Sequence, residues 1–168
     1  MVQATNKMEK LERKAGVLVP VFSLPSAEGV GTLGKGAYEF VDFLAGAGMR
    51  VWQVLPLLPT SYGDSPYQSC ASDALNLYFI DLEFLVKDGL LFEEEIKGVD
   101  WGAKERVNYE KLFEFKAKIL RFAFTRFDKT SSQWQSFLTE GKYHDYATFM
   151  ALKEKFAYAT WSDWPDPY

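Results

Sequence analysis

The chain has 168 residues, of which 48% are hydrophobic and 17% aromatic, a composition typical of a packed globular protein rather than a disordered one. Its net charge is −4, and acidic and basic residues are mixed without a polybasic segment, which argues against nucleic acid and anionic membranes as partners. The single cysteine, Cys70, excludes an internal disulfide, and the N-terminal segment has neither a secretory pattern nor a membrane span. We therefore expect a cytoplasmic protein.

The first half of the chain predicts a βαβ unit. Residues 15–21 (AGVLVPV) and 49–57 (MRVWQVLPL) are apolar without alternation, as in strands that are buried on both faces. Between them, residues 35–48 predict a helix that Gly48 would end. The apolar stripe of this helix consists of Ala37, Phe40, Val41 and Leu44.

The loops that follow the two strands should meet. Strands joined by a helix in this way run parallel, so loops 22–34 and 56–76 are expected to leave the same edge of the sheet. In α/β folds the edge at the carboxyl ends of the strands is where ligands bind.

The second half of the chain predicts helices. Residues 76–89 indicate a short extended piece and then a helix that Asp81 caps and Gly89 ends. Longer helices are predicted over 109–127 and 144–156, and the FEEEIK segment is expected to be a solvated face. The buried faces predicted for the two longer helices are Leu112, Phe115, Ile119, Phe122 and Ala123, and Tyr146, Phe149, Met150 and Lys153. Two strands alone do not make a stable parallel sheet, so the chain looks like the start of a larger barrel or sheet.

The segment TSYGDSPYQS, residues 60–69, combines polar side chains with two aromatic rings. Sugars need this combination, since their hydroxyls require directional hydrogen bonds and their C–H faces pack on aromatic rings. Alternatively, Tyr62 and Tyr67 seal the mouth of a barrel, and the Gly-Asp and Ser-Pro pairs form ordinary turns. The residues alone leave both interpretations open.

Several motifs in chain order resemble one enzyme family. They are AGVLVPVFSLPS, GVGTLGKGAYEFVDFLAGAG, VWQVLPLLPTSYGDSPYQS and ALNLYFIDLEFLVKDGLL, and they closely resemble the start of the amylomaltases, the bacterial 4-α-glucanotransferases of the α-amylase clan. The resemblance implies an α/β fold, a (β/α)₈ TIM barrel. Residues 1–76 would form its first two βα units and residues 77–168 a mainly helical insertion.

The resemblance also implies a reaction and a set of contacts. Family members transfer 4-α-glucan segments with retention, through a carboxylate nucleophile and a carboxylic acid on later barrel strands. We therefore expect no catalytic residue here, no metal or cofactor, and a maltodextrin as substrate. The implied substrate-binding residues are Ser65 and Tyr67 near the cleaved bond, Tyr62 at an auxiliary glucan site, Asp64 holding the loop through backbone hydrogen bonds, and Gln68.

Some features leave alternatives open. The family's Asn-Pro is replaced by Asn76-Leu77, which puts the local turn in doubt. Asp64 as the nucleophile is disfavoured because its loop holds no second carboxylate. His144 is expected at the surface, at a helix start. A glucan hydrolase of the same clan, or a non-catalytic glucan-binding or inert product, remains possible from the residues alone.

Overall fold

Two short parallel strands and six helices form the part of the chain that the computed structural model describes, residues 13–165. One-turn 3₁₀ segments lie at Val21–Ser23, Leu77–Phe79 and Trp161–Asp163. The strands and helices are β1 Gly16–Leu18, α1 Lys35–Gly46, β2 Val51–Gln53, α2 Leu82–Lys87, α3 Glu93–Ile96, α4 Tyr109–Arg126, α5 Ser132–Glu140 and α6 His144–Lys155.

The predicted βαβ unit is confirmed. Strands β1 and β2 pair in parallel, with Gly16 opposite Val51 and Leu18 opposite Gln53. The paired strands are shorter than the apolar runs that predicted them. One further bond, from the Val19 N–H to the Gln53 carbonyl (3.0 Å), extends the ladder before Pro20, which has no N–H to donate.

The prediction that both strands are buried on both faces is wrong for the described residues. The side chain of Leu18 is 53% exposed and that of Val51 is 46% exposed, because helices cover this two-stranded sheet only in part. Trp52 of β2 packs against helix α1. Its ring lies edge-on to Phe40 with centroids 5.2 Å apart, and its Nε1–H donates to the Val19 carbonyl at 2.8 Å.

Helix α1 follows its predicted stripe except at one position. Ala37 and Leu44 are buried and Phe40 is half-buried, whereas Val41 is exposed. Beyond the helix, Gly48 adopts the left-handed conformation expected of a helix stop (φ 74°).

The main core lies between loop 22–34 and the helices of the second half. Its buried members are Val30, Leu82, Leu91, Trp101, Leu112, Ile119 and Ala123. Helix α2 begins and ends as predicted: the Asp81 carboxylate accepts a hydrogen bond from the Phe84 N–H (3.0 Å), and Gly89 is left-handed at φ 72°.

Helix α4 departs from its predicted face at two positions. Phe122 is exposed, and Lys116, which was not predicted on that face, is fully buried as Leu112 is. Lys116 follows Leu112 by four residues and precedes Ile119 by three, so the 3.6-residue period places it on the apolar face despite its charge.

The remaining helices complete the second half. Helices α3 and α5 were not predicted; α3 covers most of the FEEEIK segment, which is mainly exposed as expected. Helix α6 spans nearly the predicted residues and begins at the exposed His144, but its predicted face is only half-buried, and none of its residues is fully buried. None of the helices within residues 13–165 has the length and apolar character that crossing a membrane requires.

Candidate functional site

Loops 22–34 and 56–76 meet at the carboxyl edge of the strands, as the parallel arrangement predicted. Side chains from both loops line one small cavity of about 10 Å³, room for about one water molecule. The lining residues are Phe22 and Val30 from the first loop, Pro56, Leu58, Thr60, Asp64, Pro66 and Asn76 from the second, and Tyr78, Phe79 and Tyr109 beyond them.

Loop 60–69 is a small hairpin closed by its own backbone. Thr60 and Ser69 form an antiparallel bridge, and the Ser61 N–H donates to the Gln68 carbonyl at 3.2 Å. Two turns lie inside this bridge. In the first the Asp64 N–H donates to the Ser61 carbonyl (3.0 Å), and in the second the Gln68 N–H donates to the Ser65 carbonyl (3.0 Å).

The two tyrosines of this hairpin extend into solvent. Tyr62 is 98% exposed and Tyr67 is 76% exposed, each carried by one of the two turns. Flat aromatic rings that are open to solvent are suitable for packing against the C–H face of a sugar. Gln68 is exposed beside them and Ser65 is half-buried, with its hydroxyl accepting from the Tyr67 N–H at 3.4 Å.

Asp64 is oriented toward the cavity. Its carboxylate accepts a hydrogen bond from the Thr60 hydroxyl (3.1 Å), and its backbone is left-handed at φ 52°. Partial burial raises the pKa of the Asp64 carboxyl, and the bond from Thr60 offsets part of that rise. The backbone bond expected at Asp64 is present through its N–H, while the carboxylate itself bonds a side chain.

Tyr78 and Tyr109 form the floor beneath this carboxylate, and no local pattern in the sequence indicates either of them as a site residue. Their rings lie 6.4 Å apart, and both line the cavity with Asp64. Burial raises the pKa of Tyr78 to about 12, and the nearby charge of Asp64 adds to the rise. Burial also raises the pKa of Tyr109, and the nearby charge of Asp64 adds to that rise.

The turn at Asn76-Leu77 forms without the family's proline. The Asn76 carboxamide accepts from the Tyr78 N–H (2.9 Å) and donates to the Leu58 carbonyl (3.3 Å). Its backbone N–H donates to the Leu57 carbonyl at 2.8 Å. The buried amide therefore joins the end of loop 56–76 to the start of the helical half.

A buried ion pair anchors the neighbouring loop 22–34. The Glu28 carboxylate accepts from Lys116 of α4 and, at 2.7 Å, from the Leu82 N–H at the start of α2. Lys116 is 0% exposed and Glu28 is 6% exposed. Burial raises the pKa of Glu28 and lowers that of Lys116, while their mutual attraction opposes both shifts.

A second bond reinforces this anchor. The Thr32 hydroxyl donates to the Asp81 carboxylate at 2.7 Å, and the same carboxylate caps α2. Loop 22–34 is therefore tied to both α2 and α4, and its Phe22 and Val30 form one wall of the cavity under the tyrosine hairpin.

Comparison with known proteins identifies the family. Residues 19–168 match the sequence pattern of the family described as 4-alpha-glucanotransferase. The chain belongs to that family. A 4-alpha-glucanotransferase of Streptococcus pneumoniae is 42% identical over 165 residues, covering 92% of this chain and 32% of the relative. One of Clostridium butyricum is 45% identical over 148 residues, covering 86% of this chain and 30% of the relative.

A solved structure agrees with the sequence relatives. The amylomaltase from Streptococcus agalactiae in complex with acarbose superposes with a TM-score of 0.86 at 38% identity, covering 92% of this chain and 32% of that one. The resemblance to amylomaltases is therefore confirmed. The chain spans about a third of the length of the relatives it matches.

Proposed function

We propose that this chain provides the first two βα units of a TIM-barrel 4-α-glucanotransferase, and that hairpin 60–69 contacts the α-1,4-glucan. Family membership over residues 19–168 supports the activity. The amylomaltase of similar structure was solved with acarbose, which supports a sugar-type ligand. The observation that carries the site is the exposure of Tyr62 and Tyr67 on a hydrogen-bonded hairpin at the carboxyl edge of the strands.

The exposed strand faces support the barrel. Apolar side chains on and beside the sheet face solvent in the described residues, among them Leu18, Leu33, Val41, Phe43, Val51 and Leu75. Further strands and helices of a (β/α)₈ barrel would cover such surfaces. In this arrangement residues 1–76 belong to the barrel and 77–168 to its helical insertion, in a cytoplasmic protein.

The proposed roles within the hairpin are those that the family resemblance implies, and the exposure of both rings is compatible with them. Tyr67 and Ser65 contact the glucan near the cleaved bond, Gln68 hydrogen-bonds it, and Tyr62 contacts only longer glucans. Pro66 fixes its own φ and stiffens the segment directly before Tyr67, so little conformational entropy is lost when that ring binds a sugar. No residue of this chain is proposed as nucleophile or general acid.

A chimera tests the activity. Residues 13–168 of this chain would replace the matching segment of the Streptococcus pneumoniae relative, and the product would be incubated with maltotriose. If the chimera transfers glucan segments, the products should be glucose and maltodextrins longer than maltotriose. Hydrolysis would give glucose and maltose without longer products, and a folded chimera that forms neither set would contradict the proposal.

Two alanine variants of the chimera test the site. We expect Tyr67→Ala to lower kcat/KM on maltotriose, by an amount on the order of 1–3 kcal/mol in transition-state stabilisation if its hydroxyl pairs with a buried sugar oxygen. Tyr62→Ala should leave kcat/KM on maltotriose unchanged and lower kcat/KM on amylose. Wild-type efficiency of a folded Tyr67→Ala chimera on maltotriose would show that the hairpin does not contact that substrate.

A further inference from the structure

We propose that Asp64 is a positioning residue of the hairpin and not a ligand of the glucan: it is the joint that sets the relative placement of the Tyr62 and Tyr67 rings. This inference rests on the proposed glucan-binding role of the hairpin and adds to it a determinant of chain-length preference.

Asp64 is the last residue of one turn and directly precedes a second turn. The Ser61–Asp64 turn has Gly63 at its third position with φ 92°, as a type II turn requires, and it carries Tyr62. The second turn runs from Ser65 to Gln68, with Pro66 at the position where proline favours a turn, and it carries Tyr67. Asp64 ends the first turn and Ser65 begins the second, so the backbone torsion angles of these two residues set the mutual orientation of the turns; of the two, Asp64 has the left-handed backbone.

The left-handed backbone at this joint depends on the type of side chain. Asp64 has φ 52°, a conformation that most residues avoid and that Asp and Asn tolerate because their short polar side chains hydrogen-bond locally. The local bond is present here, from the Thr60 hydroxyl to the Asp64 carboxylate. Thr60 itself is fixed by its bridge to Ser69, so the bond links the joint to the base of the hairpin.

The Asp64 side chain and the two rings have different surroundings. Asp64 lines the cavity with Pro66, Tyr78 and Tyr109, beneath the hairpin, while Tyr62 and Tyr67 extend into solvent. A cavity of about 10 Å³ is too small for a glucosyl unit, so a sugar on the rings would not reach the carboxylate through it. A glucan long enough to contact both rings would depend on their relative placement, whereas a short one on a single ring would not.

Three substitutions of Asp64 in the full chain separate positioning from direct contact. Asp64→Asn keeps the oxygen acceptor and the tolerance for a left-handed backbone. Asp64→Gly keeps only the backbone tolerance, and Asp64→Ala keeps neither. Positioning therefore predicts the order Asn, Gly, Ala from mildest to most damaging. Direct contact through the charge predicts equal losses for all three.

Two readouts are measured on each variant. The first is hydrogen exchange of the Asp64 and Gln68 amides, which report the two turns without any glucan. The second is affinity for maltoheptaose and for maltotriose. For Asp64→Ala we expect about tenfold faster amide exchange and about tenfold weaker maltoheptaose binding. A factor of this size corresponds to the free-energy cost of placing alanine in a left-handed backbone conformation. Maltotriose binding should change less, and Asp64→Asn should stay within about twofold of wild type in every readout.

A double-mutant cycle with Thr60→Val isolates the proposed bond. If Asp64 acts through Thr60, adding Thr60→Val to Asp64→Gly causes little further change, because both remove one hydrogen bond. Unchanged exchange in Asp64→Ala, or an Asp64→Asn variant that binds as poorly as Asp64→Ala, would overturn the proposal. Should the wild-type chain bind no maltoheptaose, the proposed function fails, and the exchange series alone still decides whether Asp64 is the joint.

Discussion

The two loops that leave the parallel strands at the same edge are held in opposite ways. Loop 22–34 is embedded: its Glu28 and Thr32 are buried, and a Cβ on Gly31 would lie 1.9 Å from the Val21 carbonyl oxygen. Hairpin 60–69 is held by bonds within itself, and around its Gly63 there is open space for a Cβ.

This difference indicates two roles: loop 22–34 supports the hairpin, and hairpin 60–69 exposes side chains to a ligand. The embedded loop contributes Phe22 and Val30 to the cavity wall beneath the hairpin, so it determines where the hairpin stands. The hairpin determines which surfaces a ligand meets. Substitutions in the first loop or at its anchors should therefore change stability, and substitutions at the exposed rings should change ligand binding with little effect on stability.

The largest effect should come from breaking the buried ion pair. Lys116→Met leaves the Glu28 carboxylate buried without its cation, and we expect the free energy of unfolding to fall by roughly 3–5 kcal/mol. Urea unfolding measures this. The double variant Glu28→Gln/Lys116→Met should recover most of the loss, because it removes both charges and keeps an acceptor for the Leu82 N–H.

Lys118 offers a matched control on the same helix. It is exposed and pairs with Glu114 at 3.8 Å, so Lys118→Met should change stability by no more than about 0.5 kcal/mol. Equal stability of the Lys116→Met and Lys118→Met variants would mean that loop 22–34 does not depend on its buried pair.

The next largest effect should distinguish two glycines, one from each loop. Gly31→Ala forces a Cβ against backbone and should cost about 3 kcal/mol of stability, as an overpacked site does. Gly63→Ala meets no neighbouring atom and should cost about 1 kcal/mol, for its positive φ alone. Thermal unfolding of both variants gives the order, and the reverse order would contradict the assignment of the embedded loop.

The pH dependence of stability should report the ionisation of Tyr78, which lies beneath the hairpin. The pKa of Tyr78 in the folded protein is about 12, above its ordinary value of 10.0, so the folded state holds this proton more tightly than the unfolded state. The contribution of the protonated Tyr78 to the free energy of unfolding is therefore fully present below pH 10 and is lost as the pH rises toward 12. Tyr78→Phe should therefore make stability fall less steeply across this window.

The phenolate absorbance of the folded chain measures the same ionisation directly. Tyr78→Phe should remove an absorbance change near pH 12, and Asp64→Asn should lower the Tyr78 pKa by removing a nearby negative charge. A Tyr78 titration that is the same with and without the Asp64 charge would show that the two groups are not coupled.

The smallest effect on stability is expected at the exposed rings. Tyr62→Ala and Tyr67→Ala should each change the unfolding midpoint by an amount equivalent to less than about 0.5 kcal/mol, since neither ring is packed. Differential scanning calorimetry tests this. A large destabilisation by Tyr62→Ala would mean that its ring has a structural partner.

Local patterns in the sequence account for much of this fold. The βαβ unit follows from two apolar runs around an amphipathic helix, and the start and end of α2 follow from the preferences of Asp81 and Gly89 for helix ends. The hairpin stands out by composition, because tyrosines alternate with turn residues between 60 and 69. Its interpretation as a glucan contact came from resemblance, and the geometry adds the exposure of both rings.

The remaining features depend on contacts between distant residues. Glu28 and Lys116 are 88 positions apart, and no local pattern marks a lysine on an apolar stripe as the partner of a particular glutamate. The burial of the strands was predicted from their composition, but burial depends on which elements cover them. The place of Tyr109 beneath the hairpin similarly requires knowing where α4 begins relative to loop 56–76.

A chemical-shift titration of the isotope-labelled full chain with maltoheptaose tests directly whether hairpin 60–69 binds glucan. We expect the amide signals of Tyr62, Ser65 and Tyr67 to shift in a saturable manner, while those of residues 29–34 stay in place. Saturating maltoheptaose that leaves residues 60–69 unshifted, or that shifts only the embedded loop, would contradict this expectation.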